Sequence, residues 1–523
     1  MPWVTLIETG RRVQAERGSN LLRILLEAGA KIESSCKGRG TCGKCLVRVD
    51  PPESASPAGS REGFVVASEV VLACQTEVTG DLSVEVISRR FGPVRTAPEE
   101  LPAAIPPEEP LGAGLGLAVD LGTTTIAATL IDSTSGRVLC SATGMNPQTA
   151  LGLDVITRIT AAGEPGGLER LTSLVGAGIS DLAGLLLSRC GEPTGIEAVT
   201  VAGNPTMLHL AAGISPESIG RHPYAAVFLD PRTIPARDLI AGCAVGATAT
   251  LLPSVSSFVG ADVAAGLVAC DLDRAVEPVL YLDLGTNGEM VLCGIESPLA
   301  ASCAAGPALE GMNISRGMPA ADGAVEHLSL EPLSLEVIGG GEPVGICGSG
   351  IVDLVAELLR VGGADSSGRM LASGPLPDTA SRMEEGAGGA LFRLAPGVGF
   401  TQKDLRQVQL AKGAVLSGVR LLLREAGLPA SGLARLVVAG EFGRHLDPDN
   451  LIDAGFLPGD AGADRGFAGN ASLRGAAAYL LSRPFRERVA AFCSRVRTLD
   501  LASLADYQDL FMESLSFPER ASG

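Results

Sequence analysis

Three cysteines lie within ten residues near the start of the chain, and a fourth follows later. Cys36, Cys42 and Cys45 lie in the stretch CKGRGTCGKC, and Cys74 lies in VLACQT. Four thiolates are the ligand set that a [2Fe–2S] cluster requires, two for each iron. A zinc ion also takes four cysteines, but zinc sites usually contain two C-x2-C pairs and this chain has one such pair here. The spacing therefore predicts a [2Fe–2S] cluster bound by these four cysteines, with zinc as the alternative.

A repeated acidic hairpin indicates a second kind of chemistry. Residues 115–132 (LGLAVDLGTTTIAATLID) and 279–292 (VLYLDLGTNGEMVL) each place Asp-Leu-Gly-Thr between two apolar stretches. Turn amides and threonine hydroxyls donate to phosphate oxygens, and an aspartate beside them can hold Mg²⁺ or its waters. Two such hairpins could hold the phosphates of one nucleotide, ATP, from both sides. The predicted phosphate-binding residues are Gly122, Thr123, Thr124, Thr125, Gly285, Thr286 and Asn287, and the predicted catalytic carboxylates are Asp120, Asp283 and Glu289.

The hairpins belong to a longer duplicated pattern. The stretch VTVAGNPTMLHL at 199–210 is echoed by LVVAGEFGRHL at 436–446. Each half therefore has an acidic hairpin that is followed by a strand ending in Val-Ala-Gly. Duplication of this kind predicts two related lobes that face each other across a cleft. His209 and His445 take similar places in the two segments, which favours a shared structural hydrogen bond over a catalytic role.

The elements that carry these residues follow from the hydrophobic pattern. WVTLIE, CLVRVD and LSVEVI alternate and predict strands, and NLLRILLEAGA predicts an amphipathic helix capped by Asn20. Residues 89–116 contain six prolines without a hydrophobic period, which predicts a stiff, extended linker. The stretch DLRQVQLAKGAVLSGVRLLL from residue 404 predicts a helix that enters the cleft, with Lys412 either near the nucleotide or on the surface. Residues 486–523 predict terminal helices.

Composition narrows the possible function. The 523-residue chain carries a formal net charge of −18 and has a pI near 4.8, which argues against nucleic acids and anionic membranes as partners. No apolar run approaches the length of a membrane span, about 18 residues, and no signal-peptide pattern is present, so we expect a cytoplasmic protein. In that reducing compartment, the scattered cysteines are predicted to be unpaired core residues: Cys140, Cys190, Cys243, Cys270, Cys293 and Cys493.

Two resemblances follow from these motifs. Residues 1 to about 90 resemble a [2Fe–2S] ferredoxin of the vertebrate adrenal type, and both hairpins resemble the phosphate motifs of actin, sugar kinases and large heat-shock chaperone ATPases. The second resemblance implies that GICGSG (345–350) and VVAGEFG (437–443) lie near the nucleotide, the first at a helix N-terminus that bares its amides to phosphate. The residues implied there are Gly348, Ser349, Gly350, Gly440 and Glu441.

The resemblances together imply an α/β multidomain protein. Its expected parts are a β-grasp ferredoxin-like α+β domain at 1–90, a linker at 91–114, and two lobes of an actin-like, ribonuclease H-like ATPase core at 115–270 and 271–523. The second lobe is expected to include the C-terminal helices.

Longer stretches resemble one particular family. NPQTALGLDVITRI (146–159), SCAAGPALEGMNISRGM (302–318) and GICGSGIVD (345–353) resemble segments of the reductive activators of corrinoid proteins. The resemblance implies an ATP-hydrolysing enzyme that passes one electron from its [2Fe–2S] cluster to the Co(II) corrinoid of a methyltransferase protein, regenerating Co(I). It implies three partners: that corrinoid protein, an external low-potential electron donor and a second copy of the chain.

Two other functions remain open from the residues alone. One is a small-molecule kinase with a regulatory cluster, and the other is a binding protein whose affinity is switched by nucleotide. A kinase needs a carboxylate base near the acceptor hydroxyl. The candidates are Asp154, Asp262, Glu289, Glu310 and Glu441, and their spacing does not choose among them.

Overall fold

The computed structural model describes most of the chain. The described residues are 1–7, 9–30, 32, 45–57, 70–86, 104–152, 154–191, 195–241, 243–371, 381–386, 389–440, 446–462 and 464–519. Two predicted cluster ligands, Cys36 and Cys42, and the predicted nucleotide residue Glu441 lie outside them.

The N-terminal unit is a small mixed sheet with one helix. The strands are β1 (Trp3–Leu6), β2 (Arg12–Gln14), β3 (Ser19–Asn20), β4 (Leu46–Asp50), β5 (Ala55–Pro57), β6 (Val70–Leu72), β7 (Thr76–Val78) and β8 (Leu82–Val86), and the helix is α1 (Leu21–Glu27). The main sheet has the order β2-β1-β8-β4-β6, and β3-β7-β5 form a second sheet. Asn20 caps α1 by accepting from the Arg23 amide, and the buried face of α1 is apolar. The predicted strands and helix are confirmed.

The first lobe follows as a six-stranded sheet. Its strands are β9 (Leu115–Leu121), β10 (Thr125–Asp132), β11 (Arg137–Met145), β12 (Ile196–Gly203), β13 (Arg232–Pro235) and β14 (Thr248–Leu251). Its helices are α2 (Val155–Ala162), α3 (Gly167–Cys190), α4 (Pro205–Ala211) and α5 (Ala261–Ala269). The strand order is β11-β10-β9-β12-β14-β13, with β9 and β10 antiparallel and β9 and β12 parallel.

The second lobe has its own six-stranded sheet and several additional elements. Its strands are β15 (Val279–Leu284), β16 (Gly288–Cys293), β17 (Leu299–Cys303), β18 (Ala324–Leu330), β19 (Leu333–Val337), β20 (Gly345–Ile346), β21 (Met383–Gly386), β22 (Gly389–Ala395), β23 (Val398–Thr401), β24 (Arg435–Ala439), β25 (Asp464–Phe467) and β26 (Arg497–Leu499). Its helices are α6 (Gly348–Arg360), α7 (Gln402–Glu425), α8 (Pro448–Asp453), α9 (Ala471–Leu481), α10 (Arg483–Arg495) and α11 (Tyr507–Ser514). The main sheet has the order β25-β24-β15-β16-β17-β26.

The strand orders confirm the predicted duplication. In the first lobe β11-β10-β9-β12-β14 are neighbours, and in the second β17-β16-β15-β24-β25 take the same order. By this equivalence, the hairpin β9–β10 corresponds to β15–β16, and α5 corresponds to α9. The two-lobed actin-like core is therefore present.

Helices α5 and α9 join the lobes. A Cβ at Gly475 of α9 would lie 2.4 Å from the carbonyl oxygen of Ala265 in α5, so only a glycine allows this approach. The α9 helix also contacts β9 and β12 of the first lobe, where the Thr200 hydroxyl donates to the Ala476 carbonyl at 2.9 Å. One hydrophobic core, including residues of β9, β12, α5 and α9, thus extends across both lobes.

Helix α3 packs on the outer strands β10 and β11 of the first lobe. Within the described residues it alone has the length and composition of a membrane span, but its Leu171, Val175 and Ile179 side chains are buried in the first core. We therefore interpret α3 as a core helix. Its last residue, Cys190, forms a disulfide with Cys140 of β11. The prediction of two unpaired cysteines was wrong here, because the packing of α3 on β11 joins two positions 50 residues apart.

The second half of the predicted linker lies against the lobes. The Ile105 amide donates to the Gly136 carbonyl at 2.9 Å, and the Glu108 amide donates to the Leu481 carbonyl at 2.8 Å. The Arg483 amide donates in return to the Glu108 carbonyl at 2.8 Å. Residues 104–114 are thus bonded to both the β10–β11 turn and the end of α9.

Candidate functional site

A cleft of about 560 Å³ lies between the two hairpin tips. Strand β9 ends at hairpin 1 (residues 121–125), and β15 ends at hairpin 2 (residues 284–288), so equivalent strands of the two lobes aim their turns at one space. Of the predicted site residues, the cleft is lined by Asp120, Gly122, Thr123, Thr124, Thr125, Asp283, Gly285, Thr286, Asn287, Glu289, Gly348, Ser349 and Gly440. Stretches far apart in the sequence therefore meet at one site.

One expectation about this site needs correction, and another stays a prediction. Gly350 is not among the residues that line the cleft, and a Cβ there would lie 2.4 Å from the Val325 carbonyl oxygen of β18, so its contact with nucleotide stays a prediction. Helix α7, expected to enter the cleft, packs behind β16 and β17. Its Lys412 is fully buried and donates to the Ser516 carbonyl near the C-terminus, so it is neither a nucleotide ligand nor a surface residue.

Hairpin 1 is held by polar side chains from behind. Asn146 donates to the Gly122 carbonyl at 2.8 Å, and Asn204 donates to the Thr123 hydroxyl at 3.1 Å. The fully buried guanidinium of Arg158 donates to the Thr123 carbonyl and, at 2.9 Å, to the Gly152 carbonyl. Sequence reasoning did not identify these supports. These hydrogen bonds fix the conformation of hairpin 1, whose residues 122–125 line the cleft.

The carboxylates of the cleft have perturbed pKa values. Burial raises the pKa of Asp283 to about 8, helped by the charges of Asp262 and Asp120. Burial and the charge of Asp120 raise the pKa of Asp262 to about 7. The pKa of Asp120 is also raised by burial, against a lowering effect of hydrogen bonds from Ser472 and Asn470. Glu289 follows the same pattern, since burial holds its pKa well above the ordinary value. A cation or bound protons must therefore compensate this group of acids.

In each lobe, the residue at the start of one helix interacts with the aspartate beside the hairpin of the other lobe. The Ser472 hydroxyl at the start of α9 donates at 2.7 Å to Oδ1 of Asp120, the residue that precedes hairpin 1. Asp262 takes the equivalent place at the start of α5 and acts electrostatically on Asp283. The triplets GAD at 260–262 and NAS at 470–472 share only their alanine, so there was little sequence signal of this relation.

The acidic residues fit Mg²⁺ bound through a nucleotide. Among the described residues, no three His, Cys, Asp or Glu side chains converge closely enough to bind an ion unaided. Mg²⁺ commonly takes one or two carboxylates and completes its shell with waters and substrate phosphates. Asp120 and Asp283, which lie beside the two phosphate hairpins, are the carboxylates that suit this role.

Two predicted cluster ligands meet in the N-terminal unit. Cys45 precedes β4 and Cys74 follows β6, and pairing of these strands brings the Cys74 amide to 3.5 Å from the Cys45 Sγ. Both side chains are buried. Sulfurs at adjacent, buried positions fit two ligands of one cluster. Cys36 and Cys42 belong to the part of the chain that the structure does not describe.

His209 has a structural place. Its Nδ1 lies 2.6 Å from the Pro205 carbonyl oxygen, and its Nε2 accepts from the Val227 amide at 3.0 Å. Its ring also stacks on Phe228. Both nitrogens are therefore engaged with the backbone, as the duplication suggested. His445 lies outside the described residues.

The fold and the cleft define a two-lobed protein of the actin and sugar-kinase type, joined to a ferredoxin-like domain. Family models match all three parts: a 2Fe-2S iron-sulfur cluster binding domain at 4–79, the RACo middle region at 115–275, and the C-terminal domain of RACo, the ASKHA domain, at 277–522.

Individual proteins agree with these models. The chain is 33% identical over 423 residues to a corrinoid activation enzyme, RamQ, of Eubacterium limosum, covering 77% of this chain and 70% of the relative. It is 25% identical over 446 residues to a [Co(II) methylated amine-specific corrinoid protein] reductase of Methanosarcina barkeri, covering 77% of each. A solved reductive activator for corrinoid, iron-sulfur protein superposes with a TM-score of 0.72 at 29% identity, covering 100% of this chain and 99% of that one. The chain belongs to the RACo family of corrinoid reductive activators.

Proposed function

We propose that this protein uses ATP to drive the one-electron reduction of a Co(II) corrinoid, held by a methyltransferase corrinoid protein, to Co(I). The observation that carries the proposal is the meeting of two duplicated phosphate hairpins in one cleft, in a chain that also brings Cys45 and Cys74 together. We take the electron acceptor, a corrinoid protein, from the names of the two relatives.

The energy requirement explains why a nucleotide takes part. A bound [2Fe–2S] cluster supplies a one-electron carrier, with a potential near −400 mV in plant-type ferredoxins. An acceptor about 300 mV more reducing would make the transfer cost about 7 kcal/mol, since each 59 mV costs about 1.4 kcal/mol. Nucleotide binding between the lobes can supply such an amount if it changes how the chain binds its acceptor protein.

Different residues of the cleft take different roles in binding the nucleotide. Thr124, Thr125 and Thr286 would donate to phosphate oxygens, and Asp120 and Asp283 would hold Mg²⁺. Glu289 is the third of the proposed catalytic carboxylates, beside Asp120 and Asp283. Gly348 and Ser349 offer backbone amides at the start of α6 to the nucleotide. Gly440 follows β24 and lines the cleft beside the proposed nucleotide site; a Cβ there would lie 2.7 Å from the Leu284 carbonyl oxygen, so only glycine lets the chain pass this close to hairpin 2.

The finer parts of the proposal concern cell location and assembly. We place the protein in the cytoplasm, as a homodimer reduced by an external low-potential donor. The domains proposed are 1–90, 91–114, 115–270 and 271–523, with all four of Cys36, Cys42, Cys45 and Cys74 binding the cluster.

Anaerobic visible spectroscopy tests the function. Purified protein is mixed with reductant and a Co(II) corrinoid protein, with and without Mg-ATP, and Co(I) formation is followed. We expect conversion only with nucleotide and reductant together. Cys74→Ser should abolish it, while Cys493→Ser, which alters a half-buried cysteine of α10, should retain it. Equal conversion without ATP would refute the coupling, and ATP-dependent phosphorylation of a small molecule would indicate a kinase instead.

A further inference from the structure

A carboxylate from the second lobe joins the two phosphate hairpins. Glu310 lies in a short helical turn after β17 and lines the cleft. The Thr124 hydroxyl of hairpin 1 donates to its Oε2 at 2.6 Å, and the Thr286 hydroxyl of hairpin 2 donates to its Oε1 at 2.8 Å. Each carboxylate oxygen is thus bound by a different lobe.

The two threonine hydroxyls are the groups that a phosphate would use. Both threonines line the cleft, and a hydroxyl has one proton to donate. A carboxylate and a phosphoryl oxygen therefore compete for the same two donors. They also repel each other, since both are anionic.

The surroundings of Glu310 support this pair of hydrogen bonds. The positive charge of Arg158, behind hairpin 1, acts on Glu310 across the cleft wall. Burial raises the pKa of Glu310, and the hydrogen bonds from Thr124 and Thr286 oppose this rise because they stabilise the ionised carboxylate. Through Glu310, hairpin 1 is linked to hairpin 2.

We propose that Glu310 is a specificity-determining residue that distinguishes nucleoside triphosphates from diphosphates. A γ-phosphate that enters between Thr124 and Thr286 must displace the carboxylate, whereas a diphosphate leaves it bound to both hydroxyls. Glu310 is therefore released from the two hydroxyls when ATP occupies the cleft, and it stays bound to them when ADP does. This inference rests on the proposed function of the cleft as an ATP site.

Nucleotide binding to three variants of the full chain tests the inference. Mg-AMPPNP and Mg-ADP affinities are measured by calorimetry for the wild type, Glu310→Gln and Glu310→Ala. Relief of one like-charge contact worth about 1.4 kcal/mol should tighten AMPPNP binding about tenfold. ADP binding should change less than about twofold. The control, Glu326→Gln, removes another carboxylate that lines the same cleft.

Several outcomes would overturn the inference. Unchanged or weaker AMPPNP binding in both Glu310 variants would do so, as would an equal gain for ADP or for Glu326→Gln. Hydrogen exchange of wild-type peptides that cover 304–312 gives an independent readout: AMPPNP should raise their exchange and ADP should not. Neither the calorimetry nor the hydrogen exchange uses the corrinoid protein, so both results remain valid even if corrinoid reduction fails. Failure of wild-type protein to bind either nucleotide would instead refute the proposed function.

Discussion

At the scale of single residues, two buried charged side chains hold backbone segments in position. Arg158 and Lys412 are both fully buried, and each donates hydrogen bonds to backbone carbonyls. Such charges remain stable only where hydrogen bonds replace the lost water. Arg158 supports hairpin 1, and Lys412 anchors the chain after α11.

Replacement of Arg158 should loosen hairpin 1. In Arg158→Met the Thr123 and Gly152 carbonyls and the Gln148 side chain lose their donor. We expect a loss of about 2–4 kcal/mol in unfolding free energy and about tenfold weaker Mg-AMPPNP binding. Arg158→Lys should rescue little of the binding, because an ammonium group cannot reproduce the fork of donors. Urea unfolding and calorimetry measure both effects, and full rescue by lysine would contradict this role.

Lys412 should give the protein a pH-dependent stability. Burial lowers its pKa to about 8, with a smaller effect from Arg420. The unfolded chain, with a lysine pKa near 10.4, binds more protons between about pH 8 and 10, so stability rises with pH across that window. Relative to Lys412→Met, the wild type should gain about 2 kcal/mol from pH 7.5 to 10.

Urea unfolding at both pH values measures this difference. Lys403→Met, at an exposed position of the same helix α7, is the matched control and should show no such difference. Parallel pH profiles for the wild type and Lys412→Met would show that Lys412 keeps its ordinary pKa.

At the scale of elements, the crossing of α5 and α9 joins the lobes. Gly266 and Gly475 let these helices approach closely. An added Cβ at Gly266 would lie 3.2 Å from Ala471 of α9, and one at Gly475 would lie 2.4 Å from the Ala265 carbonyl oxygen of α5. The helices begin at Asp262 and Ser472, which act on the hairpins. A displacement of α9 relative to α5 should therefore move Asp262 and Ser472 within the cleft.

Gly475→Ala should separate the two helices. Overpacking of this kind costs about 1–3 kcal/mol, and we expect ATP hydrolysis to fall as well, because Ser472 moves relative to Asp120. Gly184→Ala in α3 is the control, since no atom lies within 4 Å of its added Cβ. The control should be neutral or up to about 1 kcal/mol more stable, because alanine favours a helix over glycine. Thermal unfolding and ATPase assays that show equal effects for both variants would contradict this account.

At the scale of the whole molecule, residues 104–114 determine where any free linker ends. Their backbone bonds to Gly136, Leu480, Leu481 and Arg483 attach them to the ATPase core. At Gly136, a Cβ would lie 1.8 Å from the Ile105 carbonyl oxygen, so the turn and this segment fit only with glycine. Any reach that the N-terminal unit has must therefore come from residues before 104.

Two deletions should separate these parts. A chain beginning at residue 104 should bind Mg-ATP and lose corrinoid reduction. A chain beginning at residue 115 should in addition lose about 3 kcal/mol of stability, from several backbone hydrogen bonds worth about 0.5–1.5 kcal/mol each. Thermal unfolding of the two deletions compares them directly. Equal midpoints would show that residues 104–114 do not support the core.

The sequence by itself determined the local motifs and the general architecture. Cysteine spacing, the Asp-Leu-Gly-Thr repeats and the alternating strands are short patterns, so they predicted the ferredoxin-like unit, both hairpins and the duplicated lobes. Strand and helix periodicity also located α6, α7 and the terminal helices.

Only the tertiary structure decided which distant residues meet. Thr124 and Glu310 lie 186 positions apart, and Asp120 and Ser472 lie 352 apart, yet both pairs form hydrogen bonds. The burial of Arg158 and Lys412 and the bond between Cys140 and Cys190 also arise from packing between separate elements. Such contacts depend on how completed strands and helices pack, and no short window of sequence contains that information.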